Sequence, residues 1–209
     1  MISTTHNFIF IHIPRTAGKA ICYALGNRDK IPGRHFFARR IKQELGKADW
    51  DSYFKFAFVR NPWDRTVSLY FHQTKTHPDD RAKFRTWLMD QVKKNGYPNN
   101  NGLQWKSSFG NESSTGGISV PWKCYSDWIL DEEGEVCLDF IGRYESLIED
   151  WKHICAKLKI NAPLKVENAT NHHHYTYYFN GDRELIKLVE DWYARDLERF
   201  DYKYQTLLL

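Results

Sequence analysis

The sequence predicts an α/β protein, a three-layer P-loop-like fold with a central parallel sheet flanked by helices, and three observations carry that expectation. The apolar run Phe8-Ile9-Phe10-Ile11 leads into the small-residue loop Pro14-Arg15-Thr16-Ala17-Gly18 and then into a helical pattern from about Lys19. A second run, Phe56-Ala57-Phe58-Val59, ends in Arg60 and is followed by another helical pattern with Pro62 near its first turn. A third, Val136 to Ile141, stands behind the turn Asp131-Glu132-Glu133-Gly134 and again precedes a helix.

Taken in order, the first run reads as a buried strand of alternating β-branched and aromatic residues that stops at Pro14. Phe37 to Leu45 reads as a short basic helix. Asp79 to Lys94 reads as an amphipathic helix with Phe84, Trp87, Leu88 and Val92 on one face. Gly96 to Gly117 breaks the pattern: it is rich in Asn, Gly and Ser with Trp105 and Phe109 embedded. So long a loop in a compact domain is functional or disordered, and an acceptor-binding lid is the expectation. The next helix turns Leu147, Ile148, Trp151, Ile154, Cys155 and Leu158 to the core, and a last helix runs from about Asp182 to Phe200 with a stripe of Leu185, Leu188, Val189, Trp192 and Leu197.

A chain of 209 residues, 42% hydrophobic and 16% aromatic, can bury one substantial core, so residues 1–209 are expected to form a single domain. The formal charge of +4 is made of many mixed charges and suits an anionic nucleotide or acceptor without requiring nucleic acid. The first apolar run is far shorter than the ~20 residues that span a bilayer, and no signal region precedes it. Cys22, Cys124, Cys137 and Cys155 form no Cys-x-x-Cys pair, which gives little support to metal or redox chemistry.

The loop after the first run reads as a phosphate cradle, because backbone N–H groups at a helix start favour anions. It departs from the nucleotide-binding P-loop: no glycine opens it, and Ala20 follows Gly18-Lys19 where Ser or Thr would ligate Mg²⁺. A metal-dependent ATPase or kinase is therefore disfavoured. Ligands of open α/β sheets bind beyond the carboxyl ends of the strands, so Arg60 should point into the same crevice as the loop, with Ser68 eight residues on able to face it.

Both motifs, in this order, resemble the sulfotransferases that use 3'-phosphoadenosine 5'-phosphosulfate (PAPS), particularly the branch containing the heparan-sulfate and other carbohydrate enzymes. The resemblance continues through Phe140-Ile141-Gly142-Arg143-Tyr144-Glu145 and the closing segment Trp192 to Tyr202. It implies that Arg15, Thr16, Ala17, Gly18, Lys19 and Ala20 hold the 5'-phosphosulfate and that Arg60 and Ser68 hold the 3'-phosphate. Arg15 stands where the family has Lys, and Lys19-Ala20 where it has Thr-Ser, so Arg15 and Lys19 divide the catalytic cation's role. A His between the two motifs serves as base in several carbohydrate-sulfotransferase relatives, and here it is His35, in Gly33-Arg34-His35 at the opening of the Phe37 helix.

The expected reaction moves a sulfonate from PAPS to an acceptor hydroxyl, most simply of a glycan, with no metal. A P-loop nucleotide phosphotransferase and a non-catalytic nucleotide or polyanion binder are the alternatives. Golgi relatives are membrane-anchored, so a chain without an anchor is expected in the cytoplasm of a microbe or virus, or is a relative trimmed of its anchor. His12 on the first strand, His72 in a helix turn and the run His172-His173-His174 read as structural; adjacent histidines cannot all face one metal. Arg65 reads as paired with a neighbour, and Arg143 and Glu145 as an ion pair or helix-start carboxylate.

Overall fold

The computed structural model describes residues 1–26, 35–95, 123–165 and 172–205. The expected acceptor loop at 96–117, together with Gly33 and Arg34, lies outside the described residues. The chain forms two compact units: Met1–Arg60 with Tyr125–Ala169, and Asn61–Cys124 with Thr170–Leu209.

The first unit is mixed α/β around a four-stranded sheet. In spatial order its strands are β1 (Ile2–Ser3), β2 (Phe8–Ile11), β3 (Phe54–Val59) and β4 (Phe140–Arg143). β1 is antiparallel to β2, whereas β2, β3 and β4 are parallel, with Phe10 opposite Phe56 and Phe56 opposite Phe140. This register lines Phe8, Phe10, Phe56 and Phe58 along one face. There they pack with Ile21 and Cys22 of α1 (Gly18–Ala24) and with Trp151 and Ile154 of α7 (Leu147–Leu158). Full burial of four Phe side chains stabilises the unit by about 1.5–3 kcal/mol each. On the other face Lys55 lies over Trp50 of α3 (Lys47–Ser52), with its ammonium 5.7 Å from the ring centre.

Gly142 follows from this sheet. A Cβ there would stand 2.4 Å from the Phe58 ring, so only glycine lets β4 lie against β3 at that row.

Two expectations about this unit need correction. The third strand begins at Phe140 rather than Val136, because Val136 bridges back to Leu130 and the Cys137 N–H donates to the Ile129 carbonyl, so these residues pair locally before the chain reaches the sheet. Asp139 then clamps the entry: its carboxylate accepts from the Lys55 N–H at 2.7 Å and pairs with Lys55 Nζ at 2.9 Å. Ile148 is 42% exposed instead of core-facing. Leu147, Trp151, Ile154 and Leu158 define the stripe of α7, and Ile148 lies about 100° off it.

The second unit is helical. It contains α4 (Pro62–Thr74), α5 (Arg81–Asn95), α8 (Tyr175–Phe179), α9 (Arg183–Trp192) and α10 (Ala194–Phe200) around one aromatic-rich core. Phe84, Leu88 and Val92 of α5 are buried as expected, and Trp87 is partly so. The single last helix expected over 182–200 is two helices. Tyr193 leaves helical geometry (φ −108°, ψ 20°), and its buried ring takes the guanidinium of Arg65 at 5.7 Å.

The remaining described helices, α2 (Ala38–Leu45) and α6 (Tyr125–Ile129), belong to the first unit and contact one another. Among the described residues no helix is long and apolar enough to cross a membrane.

Candidate functional site

The loop between β2 and α1 is built by backbone geometry. Arg15 and Ala17 both adopt positive φ, 68° and 69°, on either side of Thr16. Alternation of left- and right-handed residues turns successive N–H groups to one side, which makes an anion-binding concavity. Non-glycine residues held in the left-handed region cost of order 1 kcal/mol or more, and such strain concentrates at functional loops. The Thr16 hydroxyl donates to the Ile13 carbonyl at 3.0 Å, so this side chain holds the loop. Ala17 caps α1 without a side-chain hydrogen bond, and no acidic residue occupies the first turn of that helix. Ala20 offers no hydroxyl, and Lys19 is exposed.

Arg60 follows β3, next to β2 in the sheet, and brings a second cation to the loop. Its guanidinium donates to the Arg15 carbonyl at 3.2 Å and lies 3.9 Å above the ring of Tyr144. The Tyr125 hydroxyl donates to the Arg60 carbonyl at 2.6 Å. Arg60 is only 5% exposed. Burial first, and the Arg60 charge second, pull the Arg15 guanidinium down to about 10, while Tyr144 acts in the opposite sense. The Arg60 charge disfavours the Arg15 charge, and an anion beside like charges offsets their repulsion.

His35 stands beside the loop. Its Nδ1 is 2.8 Å from the His12 carbonyl oxygen. A carbonyl can only accept, so Nδ1 carries a proton, and in the neutral imidazole Nε2 is the nitrogen with the lone pair. The His35 ring is 4.6 Å from the His12 ring and meets the Trp128 ring edge-on at 5.9 Å. His12 itself lies one residue past β2, not within the strand, and its ring stacks on Phe10 at 5.7 Å. The ring also occupies the space a side chain at Gly18 would need: a Cβ there would be 1.8 Å from His12 Nε2. Burial first, then the charges of His35, the Met1 ammonium and Lys19, push the His12 imidazole down to about 3.

The first unit thus brings together Arg15, Thr16, Ala17, Gly18, Lys19, Ala20, Arg60 and, through His12, His35. Ser68 belongs to the second unit, fully buried in α4 two turns after Asn61. The Asn61 side chain starts that helix by accepting from the N–H groups of Trp63 and Asp64. Arg65 donates to the Lys123 carbonyl at 2.9 Å, a structural partner of the kind expected. The Arg143 N–H and the Ser146 hydroxyl both donate to Asp150. The three adjacent histidines diverge: His172 stacks on Phe71, His173 pairs with Asp79 at 2.6 Å, and His174 bonds Thr176. Among the described residues no three His, Cys, Asp or Glu side chains form a group that could hold a metal ion. The four cysteines are free thiols.

Sequence reasoning missed His12, Tyr125 and Trp128 as neighbours of the site, and no local pattern marks them. Tyr144 lies in the segment singled out by resemblance, although its contact with Arg60 depends on the parallel pairing of β3 with β4.

The strained loop and two arginines lie beyond the carboxyl ends of adjacent parallel strands, the edge at which open α/β proteins bind their ligands. The chain belongs to the sulfotransferase family, whose model matches residues 1–203. It is also similar to an uncharacterized protein of Archaeoglobus fulgidus, 26% identical over 131 residues that cover 60% of this chain and 84% of that one. No solved structure matches. Family membership makes the protein a transferase of sulfonyl groups.

Proposed function

We propose that the protein transfers the sulfonate group of PAPS to the hydroxyl of an acceptor, a carbohydrate first among them, in the cytoplasm. The Arg60 guanidinium, bonded to the Arg15 carbonyl beside the strained loop, carries this reading, since a nucleotide with phosphates at two positions suits two neighbouring cations. The donor supplies an activated sulfonate whose departure leaves negative charge on a phosphate. Arg15 and Lys19 would stabilise that charge, and the N–H groups of Thr16 to Ala20 would hold the 5'-phosphosulfate.

Arg60 and Ser68 would hold the 3'-phosphate, a role supported by their spacing and the resemblance. His35 would take the acceptor proton on Nε2 as the new S–O bond forms; the tautomer fixed by the His12 carbonyl supports it. Cations and N–H donors around the phosphates make a metal unnecessary, and Ala20 provides no hydroxyl ligand for one. Residues 1–209 would act as one sulfotransferase domain.

The test is a mass-resolved turnover assay with PAPS set against ATP plus Mg²⁺, offered glycans, tyrosyl peptides and small alcohols. A gain of one sulfonate by a glycan with PAPS alone is expected. Phosphoryl gain from ATP, or nucleotide binding without turnover, would overturn the reading.

A further inference from the structure

Resting on the reading of His35 as base, we propose that His12 is a positioning residue that sets the distance between that base and the anion-binding loop. Its imidazole touches both: Gly18 of the loop through a contact that leaves no room for a Cβ, and the His35 ring at 4.6 Å. The His12 carbonyl meanwhile holds His35 Nδ1. Phe10, stacked behind the His12 ring, anchors it to the sheet, and Trp128 meets His35 edge-on.

His35 is therefore held on one side by α6 and on the other by a ring whose far side is the start of α1. Any movement of the loop presses on His12 before it reaches the base. An aliphatic side chain at position 12 would keep the backbone carbonyl and lose the spacer. Supporting residues of this kind matter because a base displaced by about 1 Å loses on the order of 10² in rate. Burial keeps the His12 imidazole neutral, so it fills the gap without adding charge beside Lys19 and Arg15.

A double-mutant cycle tests this on the full chain, using PAPS and the acceptor that gains mass. His35→Ala is expected to lower kcat by about 10² to 10⁴. His12→Ala should lower kcat by about 10², and the double variant should be no slower than His35→Ala alone, because both changes act through one group. His12→Gln, which restores a planar polar group, should recover most of the loss. An equal kcat loss from His12→Ala in both backgrounds, or a fall in melting temperature with kcat unchanged, would overturn the proposal.

Gly18→Ala is the second variant. Its Cβ displaces the His12 ring with the His12 carbonyl left in the chain, and the same kcat loss is expected. The downfield NMR signal of the His35 Nδ1 proton gives a readout independent of turnover. It should be present in the parent protein and lost in His12→Ala, and its persistence there overturns the positioning role. Unchanged kcat in His35→Ala sinks the base reading separately, and the NMR signal alone then decides whether His12 holds the ring.

Discussion

Arg60 is the residue at which the fold and the proposed chemistry meet most directly. It is buried, stacked on Tyr144 and bonded to the Arg15 carbonyl, so its guanidinium is already immobilised and loses little freedom on binding a phosphate. Arg60→Ala should weaken binding of 3',5'-adenosine bisphosphate by about 1.5–3 kcal/mol, the usual worth of a hydrogen bond to a charged group. That is roughly ten- to hundredfold in Kd. Titration calorimetry on the folded variant measures it, and an unchanged Kd removes Arg60 from the site. Gly142 supplies the matching stability experiment: Gly142→Ala forces the Phe58 ring aside, and overpacking of that kind costs about 1–3 kcal/mol. A melting temperature equal to the parent's would show that β4 yields more easily than its register implies. The arginine was legible in the sequence because a charged residue ending an apolar run is conspicuous. The reason for Gly142 was not, since it depends on which residue of β3 lies across from it.

Among the elements, those read well from sequence are the ones whose pattern is set by their own residues. The β3 run, the α5 stripe and the loop before α1 stand where periodicity and punctuation put them. The errors arose where contacts beyond the apolar run itself decide. Val136 is diverted by Leu130, and the long last helix is broken at Tyr193, whose ring receives Arg65 from another helix of the same unit. Ile148 is apolar without being in the core because Trp151 and Ile154 fix the phase of α7. The start of α4 offers a direct measurement at this scale. Asn61 accepts two backbone N–H groups ahead of Pro62, so Asn61→Ala should cost about 1 kcal/mol. Asn61→Asp, which keeps the acceptor, should cost much less. Equal melting temperatures for the Ala and Asp variants would argue that Pro62 alone starts the helix.

For the whole molecule, composition bounded the answer without locating it: a net charge of +4 spread over mixed residues is compatible with an anionic substrate but says nothing of where it binds. The charge that matters is local, and its cost appears in how stability depends on pH. His12 has an ordinary imidazole pKa near 6.5 when unfolded and is pushed down to about 3 in the fold. Between those values the unfolded chain binds a proton that the folded protein refuses, so stability rises with pH through that window. The contribution is complete above about pH 6.5 and is lost progressively as pH falls toward 3, with a slope of at most about 1.4 kcal/mol per pH unit. The groups responsible are the buried surroundings first, then His35, the Met1 ammonium and Lys19. Carboxylates also titrate at the acid end of this range, so the informative comparison is between the parent protein and His12→Gln from pH 7.5 to 5.5. The variant lacks the titrating ring and should lose less melting temperature over that interval. Parallel curves would mean that His12 takes up its proton in the folded protein, and that the site tolerates a second positive charge beside Lys19.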